Sequence, residues 1–382
     1  MAKTRVGLVG CGNISDVYIA NSKMSASYEI VACADQVRER AEAKASANSI
    51  PISCSVREIM NNPEVELILN LTNPQSHSEI DLMAIKHGKS VYSEKPLATS
   101  VADGKRILAT AARSGLRIGC APDTFLGGRI QTMRKLLDEG AIGDPVAGVA
   151  FMACHGHESW HPEPEFYYKK GAGPLFDMGP YYLTALVTLL GSVRRVTGFS
   201  RVTFKERVIT SEPLRGQGIT VEVPTHIAGT LEFSKGCIVS VIMSFDVWDS
   251  SLPRLEIYGT AGTMSLKDPD PLAGPNIFGG DTWLRRSGDS DWNAFPHELP
   301  RKAEPTEWER IAPQFPHTGN SRGVGLEDMV VAIAAGVPHR ASGAMAFHVL
   351  EIIEALLKAS EDRHPRLIRS ACERPRPLQV RG

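Results

Sequence analysis

The sequence predicts an α/β protein: a doubly wound parallel sheet first, then an α+β region built on a large, open, mainly antiparallel sheet. Two observations carry this. The first 120 residues alternate short apolar runs with helix-patterned segments, a tempo that demands right-handed crossovers and a sheet covered on both faces. After Ala121-Pro122 the rhythm changes to long strand-like runs interrupted by short polar turns, which fold consecutive runs into antiparallel hairpins. The change divides the chain into a first domain, residues 1–122, and a second, residues 123–382. A length of 382 residues suits two domains at roughly 150 residues each.

In the first half, residues 6–9, 29–34, 65–71, 89–92 and 116–120 read as buried strands. Residues 37–46, 56–61, 77–87 and 101–114 have helical spacing. In the second half, residues 130–139 form a helix closed by Gly140, and 177–190 another closed by Gly191. Residues 146–154, 193–204, 225–233, 237–248, 255–259 and 262–266 read as strands, with Ser234-Lys235-Gly236 and Thr260-Ala261 as turns. Residues 268–325, rich in Gly, Pro, Asp and Trp, read as a long irregular excursion. Residues 345–360 form an amphipathic helix, and the Arg/Pro-rich tail from Glu361 is extended.

Composition narrows the partners. Apolar residues make up 42% and charged residues 22%, enough for two cores and too apolar for disorder. Lys plus Arg number 42 against 43 Asp plus Glu, a net charge of −1, which offers nucleic acid or an anionic membrane no electrostatic attraction. No window approaches the ~20 apolar residues of a membrane helix, and the first residues lack the apolar stretch of an export signal. The expected compartment is the cytoplasm. Seven cysteines at 11, 33, 54, 120, 154, 237 and 372 include no CxxC pair, a pattern of reduced thiols.

Gly10-Cys11-Gly12-Asn13-Ile14-Ser15 follows the first strand and opens a helix. The two glycines permit a tight turn and close approach to a pyrophosphate, which the helix N-terminus attracts. Alone, the pattern also fits a plain strand–helix turn. Asp35 ends the second strand, 25 residues after Gly10, where a carboxylate accepts hydrogen bonds from both ribose hydroxyls and repels a 2′-phosphate. The same residue suits the start of the next helix. Asp35 favours NAD over NADP, a preference that nearby Arg38 tempers. Two further segments end later strands: Asn70-Leu71-Thr72-Asn73-Pro74, with His77 in the following helix, and Ser93-Glu94-Lys95-Pro96. Open α/β sheets bind ligands at such strand ends. The proline fixes the backbone beside Lys95.

Together the glycine turn, Asp35, the Asn-x-Thr-x-Pro-x-x-x-His spacing and Glu-Lys-Pro resemble the Gfo/Idh/MocA oxidoreductases. The resemblance extends to Gly171-Ala172-Gly173-Pro174-Leu175-Phe176-Asp177-Met178-Gly179 and so covers nearly the whole chain. It implies a Rossmann domain joined to an open-sheet domain, acting with NAD(P) on sugars or cyclitols. It also implies a dinucleotide site of Gly10, Gly12, Asn13, Ile14, Asp35, Thr72, Asn73, Pro74, His77, Glu94 and Lys95. Lys95 matches the family's catalytic lysine, Glu94 its neighbour near the nicotinamide ribose, and Asp177 a carboxylate that positions substrate. Four residues beyond Asp177 the family commonly has a His; this chain has Tyr181. Asp177 and Tyr181 at i and i+4 would share one helix face.

Oxidising a carbinol needs the reacting carbons held close in a water-poor cleft, and a base for the hydroxyl proton. Lys95, desolvated beside a positive nicotinamide, would have its pKa lowered toward the working pH; Tyr181 is the second candidate. The expected activity is hydride transfer between NAD and a secondary hydroxyl of a sugar, glycoside or cyclitol. The alternatives are a NAD-using glycoside hydrolase or lyase acting through transient oxidation, and a dinucleotide-sensing binding protein. Lys95 and Asp177 argue against the last, whereas the His-to-Tyr change argues for it.

His155-Gly156-His157-Glu158-Ser159-Trp160-His161-Pro162 is the other unusual stretch. Its imidazoles, carboxylate and Trp160 suit the hydroxyls and C–H face of a sugar. Three His and one Glu are also capable metal ligands, and a polar loop satisfying its own backbone is the plainer account. No strong metal spacing such as HExxH is present, so His155, His157, Trp160 and His161 are assigned to substrate and no metal is expected. Trp248 reads as core; residues 317–322 could reach the cleft from the excursion, but a polar turn is the plainer account. The open face of the second sheet is a natural self-association surface, giving a homodimer or homotetramer.

Overall fold

The computed structural model describes residues 2–266, 277–286 and 308–379. Its first sheet is built from β1 (Thr4–Val9), β2 (Tyr28–Ala34), β3 (Ile52–Cys54), β4 (Leu67–Asn70), β5 (Ser90–Ser93) and β6 (Ile118–Cys120). These strands lie in the order β3-β2-β1-β4-β5-β6, all parallel. The connecting helices are α1 (Ile14–Ser22), α2 (Arg38–Asn48), α3 (Val56–Asn61), α4 (Pro74–Lys86) and α5 (Val101–Arg113). Strand residues such as Val6, Leu8, Val9, Leu67, Ile68 and Leu69 are buried almost completely, as a sheet covered on both faces requires. The strand order reverses between β1 and β4, so their C-terminal ends border the crevice where such sheets hold ligands. Strand β3 was not anticipated: three half-buried residues at the sheet edge are too few to show a period.

The second region begins with α6 (Gly128–Asp138) and β7 (Pro145–Ala153), followed by α7 (Gly173–Asp177) and α8 (Gly179–Leu190). Then come β8 (Val193–Arg201), β9 (Glu206–Val208), β10 (Gly218–Thr220), β11 (His226–Phe233), β12 (Ile238–Ser244), β13 (Leu255–Gly259) and β14 (Gly262–Ser265). The remaining described elements are β15 (Thr282–Arg286), β16 (Glu309–Ile311), α9 (Val324–Ala334), α10 (Gly343–Asp362) and β17 (Arg366–Leu367). Nine of the strands form one sheet, ordered β16-β15-β14-β13-β7-β12-β11-β8-β17, while β9 and β10 pair separately. Both expected hairpins form. The sheet is not a simple meander, because β7 inserts between β13 and β12 and pairs with β12 in parallel. Its inner face carries Val239, Val241, Ile257 and Met264, all buried. Helix α10 packs against β8, α8 and α5, and so joins the second sheet to the first.

Three expectations need correction. The single helix over 177–190 is two helices that meet at Met178. Pro180 lies in the first turn of α8, where its missing N–H is harmless but would interrupt a continuing helix. The excursion over 268–325 contains β15, β16 and the start of α9; residues 268–276 and 287–307 of it lie outside the described residues. Trp248 is 82% exposed rather than core. All seven cysteines are free, and no helix among the described residues is long and apolar enough to cross a membrane.

Candidate active site

The glycine turn occupies the end of β1. Gly10 has φ +99°, and a Cβ there would lie 2.6 Å from the main chain of Leu71, so only glycine fits. A Cβ on Gly12 would meet nothing within 4 Å. The exposed Gly12 and Asn13, and an α1 start that no side chain caps, leave a backbone cradle suited to a phosphate group. Asp35 Oδ2 accepts from Cys11 N at 2.7 Å and Oδ1 from Val37 N at 2.8 Å. Each oxygen keeps a second lone pair for a ribose hydroxyl. The exposed Arg38 is paired with Glu42 at 2.8 Å. These residues fit a dinucleotide.

At the end of β4, Thr72 donates through both its hydroxyl and its N–H to Asn70 Oδ1, at 2.7 and 3.2 Å. Asn73 stands exposed at the start of α4, followed by Pro74. His77 departs from its expected place in the dinucleotide site. It is fully buried, with Nδ1 2.7 Å from Pro96 O and Nε2 2.9 Å from Thr72 O. It ties the β4 and β5 loops together and offers a cofactor no surface.

Lys95, just past β5, meets α7. Its Nζ donates to Asp177 Oδ1 at 2.7 Å and to Asp177 O at 2.8 Å. Burial alone would push the lysine pKa down, but Asp177, Tyr181 and Glu94 outweigh it and hold the group above its ordinary value. The expected downward shift is therefore reversed, because a carboxylate sits on the ammonium. Burial likewise opposes ionisation of Asp177, yet Lys95 and His157 hold its carboxyl far below the usual range. Asp177 Oδ2 is 3.2 Å from His157 Nε2, and Trp160 Nε1 donates to His157 Nδ1 at 3.2 Å. A nitrogen that accepts from Trp160 leaves the ring proton on Nε2, so the neutral imidazole donates to Asp177.

Tyr181 does not share a helix face with Asp177, which ends α7 while Tyr181 lies in the first turn of α8. Its ring centroid lies 5.2 Å from Lys95 Nζ, and its hydroxyl accepts from Arg322 Nη2 at 2.9 Å. Arg322 thus enters the site from the segment expected to be a polar turn; it is 7% exposed, with Nε 4.0 Å from Glu94 Oε1. Glu94 accepts from Tyr18 Oη at 2.9 Å and from Lys95 N at 2.8 Å. Sequence reasoning passed over Tyr18, an apolar-facing tyrosine of α1 with no local signal, and for residues 317–322 it preferred a polar turn to a reach into the cleft, which is where Arg322 lies.

The histidine loop follows β7. His157 belongs to the Lys95 chain, and exposed Trp160 flanks it. His161, whose pKa burial lowers, accepts from Glu163 N at 3.0 Å. His155 instead stacks flat on Trp248, with centroids 3.3 Å apart. Glu158, the carboxylate expected to meet substrate, is consumed internally: Arg207 donates to it at 2.6 Å and Tyr168 also bonds it. Arg207 further binds Asp246 and donates to Phe245 O at 2.8 Å, so it anchors the loop from β9. Among the described residues no group of three His, Cys, Asp or Glu could hold a metal ion.

A parallel sheet in this strand order, with a glycine turn at β1 and a second sheet region contributing an aspartate to the lysine of β5, defines a two-sheet dinucleotide-binding oxidoreductase fold. Residues 4–121 match the model described as the oxidoreductase family, NAD-binding Rossmann fold, and residues 130–265 match the GFO/IDH/MocA C-terminal domain. The chain belongs to the Gfo/Idh/MocA family of Rossmann-fold oxidoreductases. It is 31% identical over 152 residues to the 1,5-anhydro-D-fructose reductase of Ensifer adhaerens, a match over 40% of this chain. That match covers 46% of the relative, so the chain spans about half its length. Identity to the trans-1,2-dihydrobenzene-1,2-diol dehydrogenase of Bos taurus is 26% over 269 residues, covering 69% of this chain and 74% of that one. Levoglucosan dehydrogenase in its apo form shares the fold, with a TM-score of 0.81 over 97% of this chain and 100% of that structure, at 18% identity.

Proposed function

We propose that the protein is a NAD-dependent dehydrogenase acting on a secondary hydroxyl, or the corresponding ketone, of a sugar, glycoside or cyclitol. The observation that carries this reading is the Lys95–Asp177 pair at the end of β5, joined through Glu94 and Tyr18 to the helix that the glycine turn opens. Gly10, Gly12, Asn13 and Ile14 would hold the pyrophosphate, Asp35 the adenosine ribose, and Thr72, Asn73, Pro74 and Glu94 the nicotinamide end. When bound, the nicotinamide supplies the hydride acceptor or donor.

The chain's own residues handle the proton. An ammonium has three N–H bonds; Lys95 spends two on Asp177 and keeps the third for a substrate oxygen. In the reducing direction Lys95 Nζ gives its proton to the carbonyl oxygen, and in the oxidising direction the neutral amine takes the hydroxyl proton. Asp177 and Tyr181 set the field in which it does so. His157, Trp160 and His161 bind the substrate ring. Residues 1–122 form the dinucleotide-binding domain and 123–382 the substrate domain.

Screening sugars and inositols for NADH absorbance tests the activity, with stoichiometric accumulation expected. A cycle that eliminates a group without net NADH would favour the hydrolase or lyase instead. A clear NADP preference would defeat the assignment of Asp35. We also propose a homodimer or homotetramer formed through the outer face of the second sheet. There the exposed Phe199 lies in a row with Ala228, Ile242 and Phe151. Light scattering that finds only 41.5 kDa particles would rule the assembly out.

A further inference from the structure

A cavity of about 1000 Å³ opens beside His157, walled by the end of β7, the histidine loop, β9 and the residues after β12. Neither Lys95 and Asp177 nor the glycine turn, Asp35 or Thr72 line it, so it is distinct from the dinucleotide crevice. It meets the Lys95 chain only through His157 and Trp160, which belong to both. Its size is at the upper end of the ~300–1,000 Å³ of ordinary small-molecule sites.

The cavity has an aromatic platform. Trp248 is 82% exposed, yet its indole is held flat against the His155 ring at an interplanar angle of 14°. Among the described residues His155 Nδ1 has no hydrogen-bond partner; the ring is held by its stack on Trp248. Exposed Phe204 stands edge-on to the same imidazole. Around the aromatics the wall is mainly apolar, with Ser159 and Glu206 exposed on it; exposed Thr210 donates its hydroxyl to Glu158 O at 3.3 Å. A flat aromatic face flanked by an exposed hydroxyl and a carboxylate matches a neutral ring with one C–H face and a hydroxylated edge.

We propose that this cavity is a second subsite of the substrate cleft, taking the neighbouring ring of a glycoside whose reacting ring lies against Lys95. The inference rests on the dehydrogenase reading and narrows its substrate class from sugars, glycosides and cyclitols to disaccharides and related glycosides. Trp160, shared by the two sites, would lie under the glycosidic linkage.

The test compares disaccharides such as cellobiose and maltose with glucose and inositols, on the wild type, Trp248→Ala and Trp248→Phe. Because Trp248 is exposed, its removal leaves the core intact. The first arm is binding to the cofactor-free protein, read by tryptophan fluorescence and saturation-transfer NMR. The expected result is saturable disaccharide binding that weakens about two- to tenfold in Trp248→Ala, the range of an aromatic stacking contact, and largely recovers in Trp248→Phe. The second arm is kcat/KM with NAD. A disaccharide should outperform its monosaccharide, and Trp248→Ala should erase that advantage while changing monosaccharide rates less than about twofold. Equal handling of one ring and two, absent disaccharide binding, or an equal loss on both substrates would overturn the subsite. Burial of Trp248 by protein concentration alone would assign the cavity to a second copy of the chain and likewise overturn it. If no sugar or cyclitol is oxidised, the dehydrogenase reading fails separately, and the binding arm still decides the subsite.

Discussion

The two ends of the candidate site are built in opposite ways. At the dinucleotide end, Gly10–Asn13, Asp35 and Thr72–Pro74 sit at the ends of neighbouring parallel strands, and much of the recognition surface is backbone. At the substrate end, Lys95, His157, Asp177, Tyr181 and Arg322 converge from the loop after β5, the histidine loop, α7, α8 and the approach to α9. A backbone cradle needs only a short local motif. A chain of buried charges needs every contributing segment in register, since each side chain left without its partner costs the full desolvation of its charge.

The contrast is broken most directly at Lys95. Lys95→Ala should lower turnover by roughly 10²–10⁴-fold, the usual contribution of a positioned acid–base group, while calorimetry shows dinucleotide binding largely intact. An active variant would remove the substrate end from the mechanism. Asp177→Asn sharpens the same point. Because the wild-type ammonium is held above its ordinary pKa, hydroxyl oxidation should climb with pH into the alkaline range. Losing the carboxylate should move that climb to lower pH, and an unmoved profile would exclude Asp177 as the controlling charge.

At the dinucleotide end, Gly10 and Gly12, two positions apart, should behave differently. Gly10→Ala drives a Cβ into the Leu71 main chain at positive φ and should cost about 1–3 kcal/mol of stability, read from chemical denaturation. Gly12→Ala meets no neighbour; it should keep the fold but weaken dinucleotide binding, because the methyl would fill the cradle. Unchanged affinity in Gly12→Ala would relocate the pyrophosphate.

The smallest effect concerns Asp81, buried under the β4 loop, where it accepts from Asn70 Nδ2 at 2.7 Å. Burial raises its pKa from 3.8 to about 7. Between those values the folded chain keeps a proton that the unfolded chain has released, so stability falls as pH rises through the window. Asp81→Asn retains an acceptor for Asn70 and carries no charge. Its Tm should exceed that of the wild type by several degrees at pH 8, with the gap closing toward pH 4. A pH-independent difference would mean that Asp81 does not titrate there.

The same division governs what was legible in advance. The parallel sheet, the glycine turn, Asp35 and the strand-end Lys95 were readable because each depends on neighbours within a few residues. The histidine loop was identified as unusual, but its members were not separable by type. Three imidazoles within seven residues went to three different tasks: His157 to Asp177, His155 to Trp248 and His161 to its own loop. Glu158 looked like a substrate ligand until Arg207, 49 residues away, claimed it. His77 fitted a cofactor motif, yet its ring is spent on two loop carbonyls.

By itself, the sequence determined the fold class, the glycine turn after β1 and the place of Lys95 at the end of β5, because hydrophobic period, glycine freedom and strand-end placement are short-range properties. Only the tertiary structure decided the charge state of Lys95, the tautomer of His157, the capture of Tyr181 by Arg322 and the exposure of Trp248. Those outcomes depend on which desolvated groups come within about 3 Å of one another, and that proximity is created by packing between segments as far as 141 residues apart rather than by any local pattern.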